Sequence, residues 1–99
     1  MLRHVAVFQW AEGTTTEQVA ALCDALGRLP DVIPELRRYR FGADAGLVEG
    51  NWDFAVVADL DDVEGWRAYL GNPDHRAVLD THVRPLLGRR AAIQFTFEP

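Results

Sequence analysis

The sequence predicts an α+β fold: one antiparallel sheet of four strands with helices on one face. Three observations predict it. Apolar residues alternate with a period of two in four separate runs, and they recur at helical spacing in three others. The runs follow one another in the order β-α-β-β-α-α-β, with a capping or breaking residue at most junctions.

Leu2 to Trp10 reads as the first strand. Leu2, His4, Ala6, Phe8 and Trp10 share one face, and Arg3, Val5, Val7 and Gln9 share the other. Both faces are largely apolar, as in a strand covered on both sides. Ala11-Glu12-Gly13 breaks it. Thr14 with Glu17 three residues on matches a capping box, in which hydroxyl and carboxylate satisfy the first free amides of a helix. Val19, Leu22, Cys23 and Leu26 then form an apolar helical stripe. Gly27 and Pro30 are expected to end this helix, leaving Leu29 to Pro34 as a stiff apolar loop.

Leu36 to Phe41 is the second strand, and its arginines suit an edge, where charge discourages strand addition. Gly42 to Asn51 is a loop. Trp52 to Leu60 is the third strand, with Trp52, Phe54, Val56, Ala58 and Leu60 on one face. Asp61 and Glu64 repeat the capping pattern before a short helix whose inward residues are Val63, Trp66, Tyr69 and Leu70. At Asn72-Pro73 a new helix starts, since Asn caps well and Pro suits the first helical position. Its stripe is His75, Val78, Leu79, His82 and Val83. Pro85 and Gly88 close it, and Ala91 to Phe97 is the last strand.

This order is a ferredoxin-like arrangement. The sheet face away from the helices is expected to carry Val5, Val7, Ala55, Val57 and Ala92, which is too apolar for water. A second copy is the simplest cover, so the chain is expected to form a homodimer with the two sheets face to face.

Composition narrows the partners. The 99 residues read as a single domain over positions 1–99, whose small core favours oligomerisation. Fifteen acidic residues against ten basic ones, all Arg, give a net charge of −5, which argues against nucleic acid and anionic membranes. No apolar run approaches the roughly 20 residues of a membrane span, and the first residues lack a signal-peptide pattern. A cytoplasmic protein is expected. Cys23 is alone, which excludes an internal disulfide or a cysteine-based zinc cluster.

Three histidines are the candidate chemistry. His4 shares a strand face with Ala6 and Phe8, beneath the helices, and His75 lies on the inward stripe of the last helix. Two imidazoles aimed into one apolar layer need partners, because an unsatisfied buried polar group costs about 1–3 kcal/mol. Tyr69, just before the Asn72-Pro73 break, can offer its hydroxyl to either. One outcome is a satisfied polar cluster that fixes the helix junction. The other is a His/Tyr pocket in which an imidazole acts as general base and the phenol orients a carbonyl. Small Ala6 and Ala58 leave room beside His4.

Other chemistry finds no pattern. His75 and His82 are separated by a helical rise of roughly 10 Å, too far for a shared zinc with bonds of about 2 Å. Asp59, Asp61, Asp62 and Glu64 read as strand-end and capping residues, so no metal is expected. Gly42 to Gly46 lacks the Lys and Ser/Thr of a phosphate-binding loop.

Several segments carry a resemblance. Arg3-His4-Val5-Ala6-Val7-Phe8, Leu29-Pro30-Asp31-Val32-Ile33-Pro34, Tyr69-Leu70-Gly71-Asn72-Pro73-Asp74-His75 and Arg84-Pro85-Leu86-Leu87 resemble the stress-responsive dimeric α/β-barrel (Dabb) family over essentially the whole chain. The resemblance implies a ferredoxin-like protomer whose sheet pairs with a second copy to form a barrel. That family includes olivetolic acid cyclase, a cofactor-free polyketide cyclase with a pocket between helices and sheet. By that resemblance His4, Tyr69 and His75 match the family's site positions, Tyr69 and His75 being the catalytic pair. The first His of the family's turn is Asn72 here, a substitution compatible with its capping role. The pocket would be lined by Ala6, Leu22, Leu26, Phe54, Val56, Ala58, Trp66, Leu70, Val78 and Leu79, and would take a small hydrophobic or aromatic ligand.

Three functions follow from these readings. The first is a cofactor-independent lyase or cyclase, with His75 as base, Tyr69 as donor to a carbonyl and His4 in support. The second is a non-catalytic, stress-related or ligand-binding barrel protein. The third is a cofactor-free monooxygenase, for which Trp66 and Asn72 would supply aromatic and polar groups.

Overall fold

In the computed structural model, which describes residues 1–99, the chain runs through β1 (Leu2–Trp10), α1 (Thr16–Val32), β2 (Arg38–Ala43), β3 (Phe54–Leu60), α2 (Val63–Gly71), α3 (Pro73–Val78) and β4 (Leu87–Thr96). A π-helical turn, Leu79–Val83, and a 3-10 turn, Arg84–Leu86, carry α3 into β4. The strands form one antiparallel sheet in the order β2-β3-β1-β4, the ferredoxin-like α+β fold. The arginine-bearing β2 is an edge strand, as its sequence predicts. No helix is long and apolar enough to cross a membrane.

The first two helix starts shift by one residue from their expected positions, each time because the expected cap is engaged elsewhere. The Thr14 hydroxyl donates to the Ala11 carbonyl at 2.8 Å, so Thr15 caps α1. Its hydroxyl accepts from the Gln18 amide at 3.2 Å, and its own amide donates to Gln18 Oε1 at 2.8 Å. Asp61 is held by the Arg37 guanidinium, so Asp62 caps α2 by accepting from the Gly65 amide at 2.9 Å. Asn72 caps α3 as expected, accepting from the Asp74 and His75 amides at 2.9 and 3.3 Å.

Helix α1 does not stop at Gly27 or Pro30. It continues to Val32, which removes most of the expected Leu29–Pro34 loop. Pro30 forfeits one amide donor, but buried Leu29 and Ile33 anchor the last turn in the core, and the Ile33 amide closes it on the Leu29 carbonyl at 2.9 Å. Strand β2 begins at Arg38 rather than Leu36, because Arg37 ties the approaching chain to the Pro34 carbonyl and Asp61. Strand β3 begins at Phe54 rather than Trp52; the Asp53 carboxylate takes the Trp10 amide at 2.7 Å in place of a strand carbonyl.

Strand β4 differs most. It starts at Leu87, four residues before the expected Ala91, and its phase on β1 pairs Val5 with Ile93 and Val7 with Ala91. Cross-strand partners share a sheet face. Ala91, Ile93 and Phe95 therefore join Val5, Val7, Ala55 and Val57 on the face away from the helices. Ala92, expected on that face, instead opposes Ala6 on the helix side. Ile93 is 61% and Phe95 43% exposed there. On the same face Arg3 grips buried Asp59 through two hydrogen bonds of 2.7 and 2.8 Å, which hold the Asp59 carboxyl below its ordinary range. Opposite, Leu22, Leu26 and Leu29 of α1 pack on Phe54, Val56, Ala58 and Leu60 of β3 as the core.

Where β4 leaves the 3-10 turn it bulges against β1: Gln9 pairs with Arg89 and Trp10 with Leu87, which leaves Gly88 as the extra residue. A Cβ there would lie 3.0 Å from the Gln9 carbonyl oxygen and 3.1 Å from that of Trp10. Backbone cannot swing aside as a side chain does. Gly88→Ala is expected to destabilise the fold by about 1–3 kcal/mol, measured by chemical denaturation, whereas Gly71→Ala, which meets nothing within 4 Å, lacks that clash.

Candidate functional site

Between the helix layer and the inner face of the sheet lies a cavity of about 300 Å³ lined by fourteen residues, ten of them hydrophobic. That is about twice the size of a cavity that admits benzene. From β1 come His4, Ala6 and Phe8, alternate residues brought to one face by the pleat. From β2 and β3 come Tyr39 and Val56; from α1, Leu26. Tyr69 and Leu70 close α2, and His75 projects from the first turns of α3. Leu79, Val83 and Arg84 follow on the π turn and its exit, and Leu87 and Arg90 complete the wall from β4.

His4, Tyr69 and His75 thus converge on one space. The Tyr69 and His75 rings lie 4.1 Å apart between centroids, and His4 meets the edge of Tyr69 at 6.0 Å. Of the expected lining, Ala6, Leu26, Val56, Leu70 and Leu79 border the cavity. Leu22, Phe54, Ala58 and Val78 are packed into the surrounding core instead. Trp66 stands behind His4, to which its indole donates.

That indole fixes the His4 tautomer. Trp66 Nε1 lies 3.3 Å from His4 Nδ1 and can only donate, so Nδ1 accepts. The Gln94 amide nitrogen reaches the same atom at 2.9 Å. In the neutral ring the proton then sits on Nε2, making His4 a donor there. Burial, with the charges of Arg90 and His75 adding to it, pushes its pKa down to about 4.

His75 is different. It is 95% buried, and its Nδ1 has no hydrogen-bond partner. Burial lowers its pKa, while the Leu70 and Tyr69 carbonyls, near but not hydrogen-bonded to Nδ1, act against that shift. Both imidazoles are therefore neutral near pH 7. Tyr69 shares a hydrogen bond of 3.2 Å with the Tyr39 hydroxyl, and burial raises its pKa, so it remains a protonated donor.

Sequence reading missed Tyr39, Phe8, Val83, Arg84, Leu87 and Arg90 as lining residues. Two had usable signals. Tyr39 alternates with Arg38 and Arg40 and so had to face inward from β2. Arg90 shares the parity of Ala92 and Gln94 on β4, legible once the β4 phase is known. The acidic residues near the β3 end are engaged without any ion: Asp59 with Arg3, Asp61 with Arg37, Asp62 as a helix cap.

Fold and cavity together define a ferredoxin-like protein with a pocket between helices and sheet that His4, Tyr69 and His75 line. The chain belongs to the stress-responsive α/β-barrel (Dabb) family, whose profile matches residues 2–97. Among solved structures it is similar to a dimeric ferredoxin-like protein of unknown function from Thermobifida fusca, with 52% identity and a TM-score of 0.91 over 97% of this chain and 90% of that one. A dimeric protein of unknown function from Bacteroides fragilis shares the fold at 20% identity, with a TM-score of 0.81 over 97% and 95% of the two chains. The hydroxynitrile lyase of Passiflora edulis shares it at 14% identity, with a TM-score of 0.84 over 98% and 93%. No curated protein matches the chain.

The depressed histidines make stability pH-dependent. The fold favours neutral His4, whose ordinary pKa of 6.5 falls to about 4, so its contribution is full above pH 6.5 and is lost as pH drops toward 4. His75 acts in the same direction. Between pH 7 and pH 5 a loss of about 1–2 kcal/mol, roughly 5–10 °C in Tm, is expected. Thermal melts across that range check it, and His4→Gln should flatten the slope.

Proposed function

We propose that this protein is a cofactor-independent, lyase- or cyclase-type enzyme that acts on a small, apolar, carbonyl-bearing molecule, with His75 as general base. The observation that carries this is the convergence of the buried His75 imidazole and the Tyr69 ring, 4.1 Å apart between centroids, on the wall of a cavity large enough for such a molecule. The neutral His75 ring keeps one nitrogen free to accept, and a substrate C–H or O–H in the cavity gives that nitrogen its use. His4 is the poorer base, because its Nδ1 is already occupied and burial pushes its pKa down to about 4.

The chemistry follows from the groups. His75 takes a proton from the carbon next to a carbonyl, and the electron pair moves onto the carbonyl oxygen. The Tyr69 hydroxyl donates to that oxygen as charge develops, in a site where apolar walls strengthen the interaction. The hydrogen bond with Tyr39 orients the phenol, and with Tyr39 as its donor the Tyr69 proton is left for substrate. His4 Nε2–H adds a second donor. The resulting enolate can attack a second carbonyl, as in a cyclase. In the lyase variant the base takes a hydroxyl proton, the oxygen's electron pair forms the new C=O as the adjacent C–C bond breaks, and the departing carbanion takes that proton back. A hydroxynitrile lyase from Passiflora edulis has this fold.

The functional unit is a homodimer formed through the sheet face that carries Val5, Val7, Val57, Ile93 and Phe95, an apolar surface with Ile93 and Phe95 open to solvent in one copy. The Thermobifida relative is described as dimeric. Ile93→Glu is expected to shift the protein to monomer in sedimentation velocity at micromolar concentration; an unchanged dimer would place the interface elsewhere.

Exchange of the α-protons of phenylacetone into D2O, followed by proton NMR, tests the base without requiring the natural substrate. The native protein should accelerate exchange. His75→Ala should lower the rate about 100-fold and Tyr69→Phe about 10-fold, each with its circular dichroism spectrum intact. Exchange that His75→Ala leaves untouched, while its Tm alone moves, would make this a non-catalytic barrel.

A further inference from the structure

We infer that Arg90 is an anion-reading residue at the cavity mouth and that the molecule bound there is an amphipathic acid, its apolar body inside the cavity and its carboxylate on the Arg90 guanidinium. This rests on the pocket being a small-molecule site and adds the class of molecule.

The argument begins with charge. The chain as a whole carries −5, yet none of the fourteen residues around the cavity is acidic, and two are Arg. The two arginines are not equivalent. Arg84 is already engaged by Asp80, four residues earlier. Arg90 has no carboxylate partner within the protomer, because the four salt bridges belong to Arg3, Arg37, Arg67 and Arg84.

Geometry then aims that cation. Arg90 opposes buried Phe8 across the β1–β4 ladder, so it shares the inner sheet face with Phe8 and the cavity. Its neighbour Arg89 faces the other way, with its guanidinium 5.0 Å from the Trp52 ring centroid. Arg90 is exposed to solvent while lining the cavity, which places it at the rim. Its charge reaches His4, Tyr69 and His75, disfavouring protonation at each.

Inside the rim the wall changes character. Ala6, Leu26, Val56, Leu70 and Leu79 offer no charge, and the imidazoles there are neutral. A molecule that satisfies both regions has an apolar or aromatic body and one anionic end. Guanidinium binds carboxylate in a bidentate, charge-assisted pair that a neutral amide cannot reproduce. A cationic ligand would meet two arginines and no counter-charge.

The test is calorimetric titration of the purified protein with 1-naphthaleneacetate and with its neutral isostere 1-naphthaleneacetamide. The native protein should bind the acid about 10-fold more tightly than the amide at low salt. Arg90→Gln should abolish that preference and leave amide affinity within about twofold, because the exposed residue supports no core packing. Arg67→Gln, which removes the same charge from a helix surface, should behave as the native protein. Equal binding of acid and amide by the native protein would overturn the inference while leaving a small-molecule pocket standing. A preference that survives Arg90→Gln would also overturn it. Binding of neither probe would remove both the pocket reading and the inference built on it.

Discussion

Strand β1 is the constraint that organises this molecule, because it is a central strand, hydrogen-bonded to a neighbour on each side, and it supplies both the cavity and the outer face. β3 pairs with it from Leu2 to Phe8, and β4 from Leu2 to Trp10. A slip of one residue against either neighbour would turn every side chain to the opposite face. Two ladders holding the same strand make that slip costly. With the register fixed, the pleat delivers His4, Ala6 and Phe8 to the cavity and Arg3, Val5 and Val7 to the outer face. Site and outer surface are thus read from alternate letters of one short sequence.

Everything around the cavity is then brought to β1 by elements distant in sequence. Gln94 reaches His4 from β4 and Trp66 reaches it from α2, so a single ring nitrogen joins three elements. His75 arrives through the Asn72 cap, whose side chain holds the His75 amide and so sets where the imidazole leaves α3. Tyr39 reaches across from β2 to the Tyr69 hydroxyl. Of these contacts the Tyr39–Tyr69 hydrogen bond is fully buried, where the absence of competing water strengthens it and raises the cost of losing it; the others are part-buried.

The order and type of all seven elements were legible in the sequence, since each had its period and most had a stop signal. The convergence of His4, Tyr69 and His75 was legible as well, from strand parity and helical stripe. Boundaries were less so, for identifiable reasons. Thr14 and Thr15 are equivalent capping residues in a one-dimensional pattern, and only the Ala11 carbonyl distinguishes them. Pro30 is a helix breaker on propensity, overridden by the burial of Leu29 and Ile33. The β4 face was misassigned because Ala91 and Ala92 are the same residue on opposite faces, so periodicity carries no phase there. The π turn at Leu79–Val83 has no sequence signature. Without it, Arg84 and Leu87 could not be placed at the cavity.

That π turn also bears on why the site holds open. A continuous α-helix from Pro73 through Val83 would close its turns more tightly; the widened turn redirects Leu79 and Val83 before the chain enters β4. Wide turns of this kind are often found at functional sites, because they exchange regular hydrogen bonding for a particular side-chain direction. The unpartnered His75 nitrogen is a second departure from the most stable arrangement. A domain of this size has a net stability of only about 5–15 kcal/mol, so a cavity, an irregular turn and an orphan ring nitrogen in one place are a substantial concession. Filling the cavity with a larger side chain at Ala6 would improve burial and occupy the space facing His75. Stability alone would favour that change, and the small residue at Ala6 keeps the space open to a molecule from outside the chain.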